Sequence, residues 1–286
     1  MNTALTLTFL ADNTVMELLP DHGEVTRLSE PGHSFLAEHG FSVLVESPGN
    51  PRLLFDAGAT AHVVPHNLRQ LGLSTERDLG AAVLSHGHSD HTGCVECLGC
   101  TLHAHPAALG PRYLFRNGQM RFDLTAHQLP FVRDRLQLAS GPTEIVSGVL
   151  ATGEIPRALK WEQPRNFRRL QGEDLVEDPL LDDQALAIST PRGLVVVAGC
   201  AHAGIINTVH YARELTGQRE VLAVVGGFHL IDADAKKLER TTTALRELEP
   251  ALIAPNHCTG FRAMAALATA FGERFRYVTA GTRLQL

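Results

Sequence analysis

Residues 84–93 read LSHGHSDHTG, at the end of the apolar run Ala81 to Leu84. A short apolar strand therefore ends in His86, His88, Asp90 and His91. Imidazole nitrogen and carboxylate oxygen are the donors that borderline divalent cations prefer, and a loop leaving a strand can fold back so that all four point to one place. The spacing gives His86 and His88 to one cation and Asp90 and His91 to a second. A polar surface loop with chance histidines is the bland alternative. The full H-x-H-x-D-H pattern at a strand end argues against it.

Outward from this loop, short apolar and β-branched runs recur at 5–10, 41–46, 52–55, 101–104, 144–151, 185–189, 194–198, 221–225, 251–254 and 275–279. Stretches with helical spacing lie between many of them, at 61–71, 204–216, 233–248 and 261–271. The first third reads as hairpin-like strand pairs and the last third alternates strand with helix. An α/β (α+β) architecture follows, a mixed sheet system with helices outside. Residues 154–183 interrupt the pattern with prolines, charges and the only tryptophan, Trp161, and read as a long loop forming one wall of a pocket.

The chain carries 25 Lys and Arg against 31 Asp and Glu, a formal charge of −6, which argues against an extended nucleic-acid surface. With 44% hydrophobic and 20% charged residues it can bury a core without staples. No apolar run approaches the roughly 20 residues that span a bilayer, and no basic signal-peptide region opens the chain, so the cytoplasm is the expected location. Oligomeric state stays open, a homo-oligomer included.

The motif is that of the metallo-β-lactamase-fold superfamily, and the resemblance covers essentially the whole chain. It implies a single domain over 1–286, folded as an αββα sandwich with the metal site at one edge. LLFDAG at 53–58 resembles the turn in which the aspartate, here Asp56, supports the metal loop from behind, fixing imidazole orientation. His257 in LIAPNHCTG lies where the superfamily places its last histidine ligand. VVVAGC at 195–200 resembles the strand that usually ends in Gly-Asp, but here Cys200 follows Gly199. Either the Cys200 thiolate binds the metal or His202, two positions on, turns into the site. Glu154 in TGEIPR is an oxygen ligand or a salt-bridge partner for Arg157.

EHGFS at 38–42, TGEIPR at 152–157, GCAHAGIINTV at 199–209, GGFHL at 226–230 and PNHCTG at 255–260 occur together and in order. The combination resembles the 7,8-dihydropterin-6-methyl-4-(β-D-ribofuranosyl)aminobenzene 5′-phosphate synthase-like subfamily. The resemblance implies a dinuclear enzyme with two divalent metal ions, zinc first and manganese or iron as alternatives. Its substrate would be a phosphate-containing small molecule, cleaved at a phosphoester or condensed from a pterin diphosphate with release of pyrophosphate. The alternatives are a hydrolase of lactone, thioester or β-lactam carbonyls, and a metal-dependent binding protein without turnover.

His229 in GGFHL resembles the histidine that phosphodiesterases of this fold use near the phosphate, as acid or anion holder. Asp90 is the second catalytic candidate. The Gly-containing turn at Gly204, ahead of a helix, suits an anion. Asp12, Asn13, Glu38 and His39 fall near the same edge by family analogy, with Asn13, Glu38 and His39 as substrate contacts. Cys94, Cys97 and Cys100 form C-x-x-C-x-x-C, which invites a thiolate metal site. Without a fourth nearby cysteine, and with a family helix expected under the metal loop, core packing is the preferred reading.

Overall fold

The computed structural model describes residues 4–30, 32–116, 119–123, 132–164 and 166–286. Two mixed sheets lie face to face. The first, in spatial order, holds β2 (Val25–Arg27), β18 (Thr282–Gln285), β1 (Thr6–Ala11), β3 (Ser42–Glu46), β4 (Leu53–Phe55), β5 (Ala81–Val83), β6 (Thr101–Ala104) and β9 (Leu136–Leu138). The second holds β10 (Thr143–Val146), β11 (Val149–Ala151), β14 (Ala185–Thr190), β15 (Gly193–Ala198), β16 (Val221–Gly227) and β17 (Leu252–Asn256).

Side chains alternate between the two faces of a strand, and β15 shows the consequence. Val195 and Val197 join Phe9, Phe41, Phe55 and Val83 in the core between the sheets. Leu194, Val196 and Ala198 point the other way, under α3 (Ile205–Thr216), α4 (Ala235–Glu247) and α5 (Phe261–Phe271). On the outer face of the first sheet Leu44, Leu54 and Ala82 pack under α1 (Val63–Gln70). The layers are therefore helix, sheet, sheet, helix, the αββα sandwich the sequence implied. Burying each Val, Leu or Phe side chain in these cores contributes about 1.5–3 kcal/mol.

Some local expectations change. Residues 154–183 are not one long loop. They carry the hairpin β12 (Phe167–Gln171) and β13 (Asp174–Glu177), which joins β7 (Arg112–Arg116) and β8 (Gln119–Asp123) in a four-stranded antiparallel sheet. The FRRLQ and DLVE runs are short and charged, so their strand character came from pairing rather than from an apolar signal. The strand expected at 275–279 is absent, and β18 lies just beyond it, where Thr282 and Leu284 are buried beside β1. The helix expected after the metal motif is only the four-residue α2 (Ser89–Thr92) and a 3₁₀ turn at Val95–Cys97.

What places the site is strand direction. β4 and β5 run parallel, as do β15, β16 and β17. Asp56, the His86 loop, Cys200, His229 and His257 thus leave the carboxyl ends of parallel strands from both sheets, where open α/β sheets place their ligands.

Candidate metal centre

Three imidazoles form the first donor cluster. His86 Nε2 lies 2.9 Å from His88 Nδ1, and His202 Nε2 lies 3.2 Å from each of them. All three rings are buried. Neutral imidazoles cannot satisfy one another around such a triangle, because each ring has one N–H and the facing nitrogens need lone pairs. The spacing does match three corners of a tetrahedron around a cation with Zn–N bonds of ~2.0–2.1 Å, whose edges are about 3.3 Å. Burial and the neighbouring imidazoles keep His86 and His202 well below the usual histidine pKa. Burial also brings His88 down to about 3, so the rings stay neutral, as ligands must be.

The second cluster gathers Asp90, His91, Cys200 and His257, whose donor atoms lie within 4.8 Å of one another. His91 Nε2 is 3.1 Å from Cys200 Sγ, and Asp90 Oδ2 is 3.3 Å from His257 Nε2 and 3.6 Å from His91 Nε2. Burial opposes charge here but loses. Asp90 and Asp56 raise His91 to about 9, and His91 and His257 lower the Asp90 carboxyl strongly. His257 Nδ1 is buried without a hydrogen-bond partner, and Nε2 faces only the Asp90 carboxylate, a further sign of a donor set built for a cation. So Cys200 and His202 are not alternatives: each enters a different cluster.

Asp56 organises both clusters. Its Oδ1 accepts the Ser85 N–H at 2.6 Å, and its Oδ2 accepts the Ser85 hydroxyl and the His91 Nδ1–H, both at 2.7 Å. Ser85 Oγ, its proton committed to Asp56, accepts from His86 Nδ1 at 2.8 Å. With both Nδ1 atoms held as donors, Nε2 is the nitrogen that His86 and His91 turn to the donor clusters; it carries the lone pair in neutral His86, and in His91 once its second proton is displaced. Gly199 makes this closeness feasible, since a Cβ there would fall 2.1 Å from Ser85 Oγ and 2.7 Å from Asp56 Oδ2. Asp56, Ala201, His229 and His257 all have positive φ (62°, 51°, 44° and 50°), backbone strain concentrated at one site.

Other candidates fall at the rim. Asp12 Oδ1 accepts the His257 N–H, and Asn13 Nδ2 donates to the His257 carbonyl. His39 contacts Asn13 Oδ1 and lies 3.7 Å from Asp90 Oδ2. Half-buried His229 sets its ring 4.3 Å from that of His202, with Nδ1 buried and unpartnered. It forms a third donor group with Cys200 and Cys258.

Two expectations are corrected, at Glu154 and at the Gly204 turn. Glu154 is exposed and lies outside every donor cluster found among the described residues. Glu38 Oε1 accepts the Ala59 N–H, bracing the turn after Asp56, while its buried Oε2 has no hydrogen-bond partner. The anion position at Gly204 is already filled by the protein: the Glu162 carboxylate accepts from Ile206 N at 3.0 Å and Asn207 N at 2.8 Å. A Cβ on Gly204 would sit 2.4 Å from Glu162, so the glycine makes room for that carboxylate. Burial raises Glu162 to about 7 against those two N–H donors. Cys94, Cys97 and Cys100 form no donor cluster with other described residues and pack in the outer core of the first sheet.

Several contributors were missed. Ser85 sits inside the motif but is an ordinary strand-end residue by sequence. Phe167, from the β12 hairpin, stacks on His88 at 4.9 Å and stands edge-on to His202 at 4.9 Å, roofing the first cluster. Asp182 accepts the Gly87 N–H and pairs with Arg112, and Asp183 accepts the Ala203 N–H, so the DD pair at 182–183 buttresses both metal loops. The acidic doublet was the available signal.

Fold and donor clusters together define a metal-dependent enzyme of the metallo-β-lactamase type, and the chain belongs to the metallo-β-lactamase superfamily. It is 31% identical over 273 residues to the 7,8-dihydropterin-6-methyl-4-(β-D-ribofuranosyl)-aminobenzene-5′-phosphate synthase of Methanocaldococcus jannaschii, covering 86% of this chain and 90% of the relative. An uncharacterised protein of the same organism, MJ0448, is 32% identical over 240 residues, covering 82% of this chain and 88% of that one. Among solved structures, Tm1679, a metal-dependent hydrolase of the β-lactamase superfamily, superposes with a TM-score of 0.79 at 28% identity over 99% of both chains. No protein-family model matches the chain. Among the described residues no helix is long and apolar enough to cross a membrane.

Proposed function

We propose that the chain is a dinuclear metal enzyme acting on a phosphate-containing small molecule, by phosphoester hydrolysis or by condensation of a pterin diphosphate with release of pyrophosphate. The observation that carries the reading is the unpartnered Nδ1 of His229, next to two adjoining donor clusters and on the side of His202. The name of the Methanocaldococcus jannaschii relative, a synthase of a 5′-phosphate, supports it.

His86, His88 and His202 would hold one cation, and Asp90, His91, Cys200 and His257 the other. Zinc suits this nitrogen, oxygen and sulfur set, and manganese or iron suits the N/O part. When bound, such cations supply Lewis acidity and a nucleophile at neutral pH. The chain supplies the rest. Asp56 and Ser85 fix the tautomers, and Phe167 shields the first cluster from water. His229 donates to a phosphate oxygen or protonates the leaving oxygen. His39 and Asn13 line the side next to Asp90.

The test is turnover by the zinc- and manganese-loaded chain of phosphate monoesters and diesters, and of a dihydropterin methyl diphosphate with an aminobenzene riboside phosphate, read as release of phosphate from monoesters, of the alcohol from diesters and of pyrophosphate from the condensation. His229→Ala is expected to lower kcat about 100-fold with metal content unchanged. Turnover of lactones or thioesters, with phosphate compounds inert and His229→Ala neutral, would overturn the reading.

A further inference from the structure

Beside the donor clusters the proposed mechanism leaves a buried nucleophile unused. Cys258 directly follows the ligand candidate His257, and its sulfur lies within 4.8 Å of the Cys200 sulfur and of a His229 ring nitrogen. Cys258 Sγ is also 3.6 Å from the Cys200 carbonyl oxygen. The two cysteines leave the ends of β15 and β17, with β16 between them. A side chain on the intervening strand would keep them apart, but the residue there is Gly227. A Cβ at Gly227 would lie 2.6 Å from Cys258 Sγ and 3.3 Å from Cys200 Cα. The glycine thus clears the space in which the two sulfurs meet. Both thiols are free in the structure.

We propose that Cys200 and Cys258 are a reversible thiol–disulfide pair whose closure withdraws Cys200 from the second donor cluster. The inference rests on the reading of that cluster as a metal site.

With a peroxide as oxidant, the chemistry balances in two steps. The Cys258 sulfur attacks one peroxide oxygen and the O–O bond breaks, leaving a sulfenic acid and, from hydrogen peroxide, one water. The Cys200 sulfur then attacks the sulfenic sulfur. The S–S bond forms, the S–O bond breaks, and a second water departs. The two thiols together give up two protons and two electrons, and the peroxide is reduced. Cys200 and Cys258 are buried, and their neighbour in the donor group, His229, is half-buried. A disulfide sulfur is no longer a thiolate donor, so the second cluster is left with Asp90, His91 and His257 and one negative charge fewer.

The experiment treats the reduced, zinc-loaded chain with hydrogen peroxide. Peptides are mapped by mass after thiol blocking, and released zinc is measured in parallel. The expected result is a linked Cys200–Cys258 peptide, loss of about one zinc equivalent, and recovery of both with a phosphine reductant. In Cys258→Ala the same dose should release at least about tenfold less zinc over the same time. A second variant, Cys97→Ser, removes the half-exposed competing thiol and should leave the linkage intact. Oxidation that stops at separate sulfenic or sulfinic acids, a link through Cys94, Cys97 or Cys100, or a Cys200–Cys258 link with zinc retained would each overturn the proposal. A reduced chain that takes up no metal overturns the metal-site reading and the withdrawal with it, while the linked peptide, read by mass alone, still decides whether the thiols pair.

Discussion

The two donor clusters differ in how they are made. The first takes His86 and His88 from one loop and His202 from another, and its three donors are neutral nitrogens. The second draws on Asp90 and His91 from the same loop but reaches Cys200 after β15 and His257 after β17, and it combines a carboxylate, two imidazoles and a thiol. One cluster is compact and built of neutral donors, the other is composite and pairs an ionised carboxylate with a protonated imidazole. The difference teaches that the H-x-H-x-D-H loop seeds both sites, and that the parallel strands of the second sheet decide what each becomes.

Removing the group common to both should have the largest effect. Asp56→Ala leaves Ser85 and His91 without their acceptor and frees His86 through Ser85. Metal affinity should fall about 10–100-fold at both clusters, and the unfolding free energy by about 1–3 kcal/mol. Calorimetric metal titration and denaturant melts check the two effects.

Single-ligand changes should separate the clusters. His88→Ala is expected to take the bound metal from two equivalents to about one, and His257→Ala to do the same through the other cluster. Elemental analysis of each variant, and of the pair combined, reads the count. Simultaneous loss of both equivalents in either single variant would show that the clusters are one cooperative unit.

The charge contrast sets a pH dependence. His91 is held up at about 9 by Asp90 and Asp56, so a cation entering the second cluster must displace its proton. His88, held down at about 3, binds without that cost at neutral pH. Burial holds the Cys200 thiol well above its ordinary pKa, so a second proton must leave there, and affinity at the second cluster should weaken as pH falls from 9 to 7 by about tenfold per unit for each of the two protons, while the first cluster stays nearly constant. Competition titrations with a chromophoric chelator at pH 7, 8 and 9 measure this.

How far the sequence revealed this is uneven. The local loop was legible because its ligands are adjacent in the chain; the apolar runs of β15 and β16 gave only buried strands in a mixed sheet system, and the sandwich came from the family resemblance. The long-range partners were legible only as candidates. Nothing local says that Cys200 and His202, two residues apart, turn to different clusters, since the Ala201 backbone at positive φ between them makes that turn. Glu154 looked like a ligand because TGEIPR stands where relatives of the fold have a third histidine, but it lies on the surface. The Gly204 turn looked like an anion site and is one, except that Glu162, 42 positions earlier in a charged segment, supplies the anion. The hairpin carrying Phe167 was hidden because its strands are polar and gain their order from β7.

The smallest effect concerns that internal anion. Glu162→Ala orphans the Ile206 and Asn207 N–H groups and should cost about 1–3 kcal/mol of stability with metal stoichiometry unchanged. Thermal melts with and without zinc check it, and a loss of metal in this variant would join the helix end to the donor clusters.

The most direct test is anomalous diffraction at the zinc edge from crystals of the zinc-loaded chain. Two peaks are expected, each about 2.0–2.3 Å from its donors: one on His86, His88 and His202, the other on Asp90, His91, Cys200 and His257. Peaks elsewhere, such as at Cys94, Cys97 and Cys100, or no peak at either cluster, would contradict the account.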